Sequence, residues 1–296
     1  MAPLPSGSLT GLLPFLDSGN HQNPERHPVQ EEVAPDPLHS PIAVFDAGIG
    51  SYGIVQLIHR HYPDQDLLYF ADRASFPYGG KTKQALATSI HQAVERLVEM
   101  GARAVVLASN APSVMVLDEL RAQLPVPVLG IYPPVSDALA TSRSGQVAVL
   151  GVASLVQSAE IRAYVARQAG GRGVSLVNAS ALVQMVEEGT FLSNPQATLD
   201  AVRDFVQALR RDWPRIDVCT LSSTHLPWLA PFFAEAAPDM VFLDPAESLI
   251  PQLAPYVAPG KGQIRCIATA SPSMPLSGLQ QMLDLLGVDL QPTLVF

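Results

Sequence analysis

An α/β fold with two parallel sheets is predicted by three observations. Short, wholly apolar runs alternate with stretches of helical spacing along most of the chain. The runs lack the polar alternation of half-exposed strands, as expected where both sheet faces are covered. The order of runs and helices also occurs twice, which implies two similar halves.

The first half begins at Pro41. Ile42-Ala43-Val44-Phe45 reads as a strand, and Asp46 follows it at a glycine-rich turn. Leu67-Leu68-Tyr69-Phe70 and Ala104-Val105-Val106-Leu107 are the next two strands. Between them, Gln84 to Met100 places Ala85, Ile90, Ala93, Leu97 and Val98 at helical spacing. Val126-Pro127-Val128-Leu129-Gly130 is a fourth strand.

The second half repeats the plan. Its strands are Val147 to Leu150, Val174 to Val177, Asp217 to Leu221 and Val241 to Asp244. Its helices are Ser158 to Gln168, Pro195 to Arg211 and one from about Leu226. A last strand, Ile264 to Ala268, and a helix, Pro275 to Leu286, are expected to return to the first half. The halves align weakly: Val106-Leu107-Ala108-Ser109-Asn110 matches Thr220-Leu221-Ser222-Ser223-Thr224, with Ser109 and Ser223 114 residues apart. Ala43 to Asp46 likewise matches Ala148 to Gly151. The predicted architecture is α/β: two pseudo-symmetric Rossmann-like parallel-sheet domains with a cleft between them. The first comprises 41–134 plus 246–296, the second 135–245. Ligands of such folds bind beyond the carboxyl ends of the strands.

Residues 1–40 read as a disordered, proline-rich leader. Pro3, Pro5, Pro14, Pro24, Pro28, Pro35 and Pro37 interrupt it, and no long apolar period occurs. Leu12-Leu13-Pro14-Phe15-Leu16 is a small apolar cluster, suited to docking. His21, His27 and His39 lack metal-ligand spacing, so no metal is expected there.

Composition excludes several classes. Among 296 residues, 18 Lys and Arg face 27 Asp and Glu, a formal charge of −9 that argues against a nucleic-acid footprint. Hydrophobic residues make up 48% and charged ones 15%, enough for a large core. Cys219 and Cys266 are too few for a disulfide framework or a cysteine-based zinc site. No apolar run spans a membrane, and no basic start marks a signal peptide. A cytoplasmic protein is expected.

Gly48-Ile49-Gly50-Ser51-Tyr52-Gly53 fits G-x-G-x-x-G between a strand and a helix, and Asp72 lies 19 residues past Gly53. This is the pattern of a dinucleotide site with a ribose-binding acid. Two other readings stand beside it: a tight turn that needs glycine, or amides that hold a small carboxylate at a helix start. Asp46, Asn110 and Thr224 end strands where a capping role is the alternative. His225 opens a helix, where a structural role is the alternative. His59-Arg60-His61 is read as a solvated helix face. Serine-hydrolase chemistry is not expected: there is no G-x-S-x-G elbow, and the two-residue spacing of Ser223 and His225 does not itself make a nucleophile–base pair.

Several segments together resemble the aspartate/glutamate racemase superfamily, most closely its glutamate racemases, from about Pro41 to Glu247. They are Val44-Phe45-Asp46-Ala47-Gly48-Ile49-Gly50, Tyr69-Phe70-Ala71-Asp72 leading to Phe76-Pro77-Tyr78-Gly79, and Ser109-Asn110-Ala111-Pro112-Ser113. Pro127 to Ile131, Val186-Glu187-Glu188-Gly189, Ser223-Thr224-His225-Leu226-Pro227 and Leu243-Asp244-Pro245-Ala246-Glu247 continue the match. Each is short; their order and spacing carry the specificity. The resemblance implies a cofactor-independent racemase that inverts the α-carbon of glutamate for peptidoglycan, often as a dimer. In such enzymes two cysteines on opposite faces of the substrate exchange the proton. By position, Asp46 would support the first thiol, and Glu187 and His225 the second. Asn110, Thr224 and the loop Pro77-Tyr78-Gly79 would hold the substrate, beside Ala47 and Ala111.

Both cysteine positions are serines here, Ser109 and Ser223, and neither Cys219 nor Cys266 simply substitutes. Ala47, Ala111 and Val152 also stand where the family pattern has hydroxyl residues. Three readings follow. The chain is a racemase with both cysteines replaced by design, or a natural relative that binds an amino acid or dicarboxylate as a sensor or partner protein. The third is an enzyme using Asp46, Glu187 and His225 for decarboxylation or isomerisation. In each, the ligand is a small molecule, with neither nucleic acid nor membrane as partner and no cofactor or metal.

Overall fold

The apolar runs read as strands from Pro41 onward form strands of parallel sheets, wholly buried in the first four and partly exposed in Val174 to Val177 and Val241 to Leu243. The computed structural model describes residues 37–295, so the leader's apolar cluster and its first two histidines lie outside the described residues. The strands are β1 (Ile42–Asp46), β2 (Leu67–Asp72), β3 (Ala104–Leu107), β4 (Val128–Gly130) and β5 (Gln146–Gly151). They continue with β6 (Gly173–Asn178), β7 (Val218–Leu221), β8 (Val241–Leu243), β9 (Ile264–Thr269) and β10 (Thr293–Leu294). The compact body begins at Leu38. The backbone of His39 donates to Asp66 Oδ2 at 2.7 Å, which ties the residues before β1 to it.

One sheet runs β10-β9-β2-β1-β3-β4 and the other β6-β5-β7-β8. The order β2-β1-β3-β4 is therefore repeated as β6-β5-β7-β8, which is the pseudo-symmetry read from the sequence. β9 pairs with β2 in parallel, so the end of the chain does return to the first sheet. The two-residue β10, exposed on that sheet's edge, was not legible as a strand. A single apolar cluster runs from Ile42 and Val44 of β1 to Cys219 and Leu221 of β7. This cluster spans both lobes, and each lobe also has a cluster of its own.

Helices cover both sheets. Helix α1 (Tyr52–His61) buries Ile54, Val55, Leu57 and Ile58. Arg60 and His61 are exposed, whereas His59 is half-buried, so only part of that triplet is a solvated face. Helix α2 (Lys83–Glu99) starts where Thr82 accepts the Ala85 N–H. It buries Leu86, Ile90, Ala93, Val94 and Leu97. Ala85, expected on the buried face, is exposed because Leu86 takes the inward position.

The glycine motif lies on the seam between the lobes. A Cβ at Gly48 would meet His225 Cε1 at 2.6 Å and Glu187 Oε2 at 2.9 Å. One at Gly50 would meet the His225 backbone nitrogen at 2.6 Å, and one at Gly53 would meet Trp228 Nε1 at 3.4 Å. Trp228 Nε1–H in turn donates to the Gly50 carbonyl at 3.3 Å. The glycines thus permit close approach, but what approaches is the second lobe.

This geometry ranks two substitutions. Gly50→Ala forces a methyl into backbone atoms that cannot move aside, and is expected to cost about 1–3 kcal/mol. Gly53→Ala meets ordinary van der Waals distance in a helix and should stay within about 1 kcal/mol of the parent. Urea unfolding of both variants checks the ranking; equal costs would contradict the seam.

Candidate active site

The two serines occupy mirrored places because their strands do. Phe45 of β1 pairs with Leu107 of β3, and Leu150 of β5 pairs with Leu221 of β7. The next residue in each case closes the register: Ala108 N–H donates to Phe45 O at 2.8 Å, and Ser222 N–H to Leu150 O at 2.8 Å. Ser109 and Ser223 follow immediately, at the carboxyl ends of the two sheets. Both line one cavity of about 330 Å³.

The loop after β3 is held by Ser113, whose hydroxyl donates to the Ser109 carbonyl at 2.6 Å and accepts the Ile131 N–H at 3.1 Å. Asn110 donates through Nδ2 to the Ile131 carbonyl at 3.2 Å, so it does not act as a plain helix cap. Its Oδ1 is buried without a partner. Pro77, Tyr78 and Gly79 form another wall, with Asp46, Ala47, Ala111, Thr224 and His225 around them. Glu187 does not line this cavity; it stands behind His225.

The supports of the two hydroxyls differ. Asp46 is buried at the end of β1. Burial pushes its carboxyl up to about 6, against His225 and hydrogen bonds from the Ala47 N–H and the Ser109 hydroxyl. On the other side, Ser223 Oγ lies 3.5 Å from His225 Nδ1. His225 Nε2 lies 2.8 Å from Glu187 Oε2. That oxygen also accepts the Ile49 N–H at 3.0 Å, and Arg73 Nη1 binds Oε1. Burial would raise the Glu187 carboxyl, but the hydrogen bond from His225, with the charge and hydrogen bond of Arg73, outweighs it and holds the group below its ordinary range. Glu187 ends the helix Ser180–Glu187, and Gly189, at φ +74°, turns the chain away just after it.

Arg73 is the functional-looking residue that sequence reasoning missed. It is buried, and it donates to the Ala47 carbonyl at 3.2 Å as well as to Glu187. A buried cation needs a partner, but its partner lies 114 residues away. Ser154, Ser180, Val183 and Gln184 also line the cavity without having been singled out. The two cysteines do not line it. Both are buried in strands, and burial pushes each thiol up to about 12, with the charge of Asp217 adding to the effect at Cys219.

The dinucleotide reading does not survive this geometry. Asp72 accepts the Tyr78 hydroxyl at 2.9 Å through one oxygen and the Thr269 hydroxyl at 2.9 Å through the other. It secures the Tyr78 loop against β9, which leaves it no role as a ribose acceptor. The space a pyrophosphate would need over the glycines holds His225 and Glu187, and the Ile49 amide already donates to Glu187.

Two similar parallel sheets with paired strand-end loops around one cavity define a racemase-type α/β protein, and the chain belongs to the Asp/Glu/Hydantoin racemase family, whose model matches residues 52–253. Within it, the chain is glutamate racemase-like. It is 34% identical to the glutamate racemase of Ectopseudomonas mendocina over 205 residues, 69% of this chain and 76% of that one. It is 33% identical to that of Roseiflexus sp. over 233 residues, 78% and 84% of the two chains. The crystal structure of glutamate racemase from Thermus thermophilus in complex with beta-chloro-D-alanine superposes with a TM-score of 0.70 at 26% identity, covering 88% of this chain and 97% of that one. Among the described residues no helix is long and apolar enough to cross a membrane.

The Asp46 environment sets a pH dependence. The folded chain keeps a proton that the unfolded chain has released above 3.8, so this group's contribution to stability falls as pH rises from 3.8 to about 6. Asp46→Asn removes that loss and is expected to stabilise the protein at pH 8 by roughly 2–3 kcal/mol. At pH 3.5 the variant and the parent should differ little. Urea titrations at both values check it; equal effects at the two pH values would contradict the assignment.

Proposed function

We propose that the cleft binds glutamate or a related small amino acid or dicarboxylate, and that the chain racemises it poorly or not at all. Its lobes are 41–134 with 246–296, and 135–245. The observation that supports this reading is the pair Ser109 and Ser223: two hydroxyls at mirrored strand ends in one cavity, one backed by Asp46 and the other by His225 and Glu187. The unpartnered Asn110 Oδ1 suits the ammonium of an amino acid, and the Ser154 and Thr224 hydroxyls offer donors to carboxylates.

Racemisation needs a base on one face and an acid on the other, exchanging roles with direction. A thiol with a pKa of about 8.5 supplies a thiolate near neutrality once neighbours lower it. A serine hydroxyl is far less acidic and loses its proton only as a neighbouring base takes it. Replacing both thiols therefore costs several powers of ten in rate, at about 1.4 kcal/mol of barrier for each. A second reading, a decarboxylase or isomerase, is favoured by Asp46, whose carboxyl near 6 suits proton transfer close to neutrality.

Two measurements test the proposal. Glutamate or a related diacid is expected to raise the melting temperature, as any native-state ligand does; a panel of amino acids and dicarboxylates without a shift would overturn binding. In deuterium oxide, neither enantiomer of glutamate should exchange its α-proton detectably, whereas S109C/S223C should exchange both. Rapid exchange by the unaltered chain would overturn the impairment, and a bound ligand with no gain in the double variant would favour the second reading.

A further inference from the structure

Ser223 differs from the two hydroxyls just before it, Thr220 and Ser222. Thr220 Oγ1 and Ser222 Oγ pair with each other at 2.7 Å, whereas Ser223 Oγ faces His225 Nδ1 at 3.5 Å and lines the cavity. The far ring nitrogen, Nε2, faces the Glu187 carboxylate at 2.8 Å. That carboxylate is an acceptor only, fixed by the Ile49 N–H and the Arg73 guanidinium. Nε2 must therefore carry the hydrogen, and in a neutral imidazole the lone pair then lies on Nδ1, toward Ser223. Nucleophile, base and orienting acid stand in sequence, the arrangement that activates a serine. The distance of 3.5 Å is long, as such contacts often are before a substrate is present.

The two-residue spacing does not by itself make this pair; the local turn does. Here the strand has ended at Leu221, and His225 enters a helical turn at φ −78° and ψ −36°, which folds its ring back beside Ser223. Ser109 has no such neighbour: its partner is the carboxyl of Asp46.

We propose that Ser223 is a nucleophile assisted by His225, with Glu187 and Arg73 as positioning residues, and that it accepts acyl groups from small carboxylic esters. The Ser223 oxygen bonds to the ester carbonyl carbon while its proton moves to His225 Nδ1. The bond from that carbon to the leaving oxygen breaks, and the leaving alcohol takes the proton. Water then cleaves the acyl-serine in the same way and releases the acid. The cavity of about 330 Å³, with Pro112, Val152 and Val183 in its walls, suits a short acyl chain. This activity does not depend on glutamate binding.

A fluorophosphonate reports the nucleophile directly, since the Ser223 oxygen bonds to phosphorus, fluoride leaves and His225 takes the proton. Treating the full chain should give one adduct, mapped by mass spectrometry to the peptide containing Ser223, and hydrolysis of p-nitrophenyl butyrate should fall in parallel with labelling. His225→Gln should slow labelling by at least about 100-fold. No adduct, an adduct on another residue, or ester hydrolysis that persists after labelling would overturn the proposal. Should the variant not fold, adduct mapping on the unaltered chain decides by itself.

Discussion

A carboxylate removed from water must be neutralised where it sits, and Glu187 meets that demand with groups from both lobes. Ile49 and Arg73 come from the β1 and β2 side of the molecule, while Glu187 and His225 come from the side of β7. The cluster therefore closes the seam and aims the imidazole in one act. The glycine motif follows from it. Gly48 and Gly50 are small because His225 and Glu187 occupy the space where side chains would be. Loss of any member would leave a buried charge or a mis-aimed ring, so packing and chemistry at this site are one constraint.

The fold is symmetric; the site is not. The repeated strand order places Ser109 and Ser223 in equivalent positions, with the same backbone hydrogen bond just before each. Behind them the equivalence ends. Asp46 of β1 corresponds to Gly151 of β5, so the second lobe has no acid at that strand end. It reaches for one through the helix Ser180–Glu187 and connects it through His225. One hydroxyl thus faces a carboxyl raised by burial, the other an imidazole anchored on an ionised carboxylate. Groups whose environments push their protonation apart in this way divide acid and base roles between them.

Much of the fold was legible because strands buried on both faces must be written in apolar runs, as β1, β2 and β3 are. β10 was not, because two exposed residues leave no such run. The motif residues lining the cavity were also legible, by resemblance. Three features were not. The glycines announced close approach without revealing the approaching group. Arg73 gave no local sign, since its partner is distant in sequence. Ser223 and His225 concealed their contact, because it depends on a turn whose geometry their spacing alone does not fix.

What the serines imply depends on what surrounds them. The Asp46 carboxyl is raised toward neutrality, and His225 is oriented by a carboxylate with its own anchors. Ala47, Ala111 and Val152 give the cavity apolar surface. The reactivity of the two hydroxyls is set by their neighbours. A carboxyl favours hydrogen bonding over attack, whereas an imidazole favours attack. The two sides of the cavity, equivalent in fold, are therefore driven toward different chemistry by the residues standing behind them.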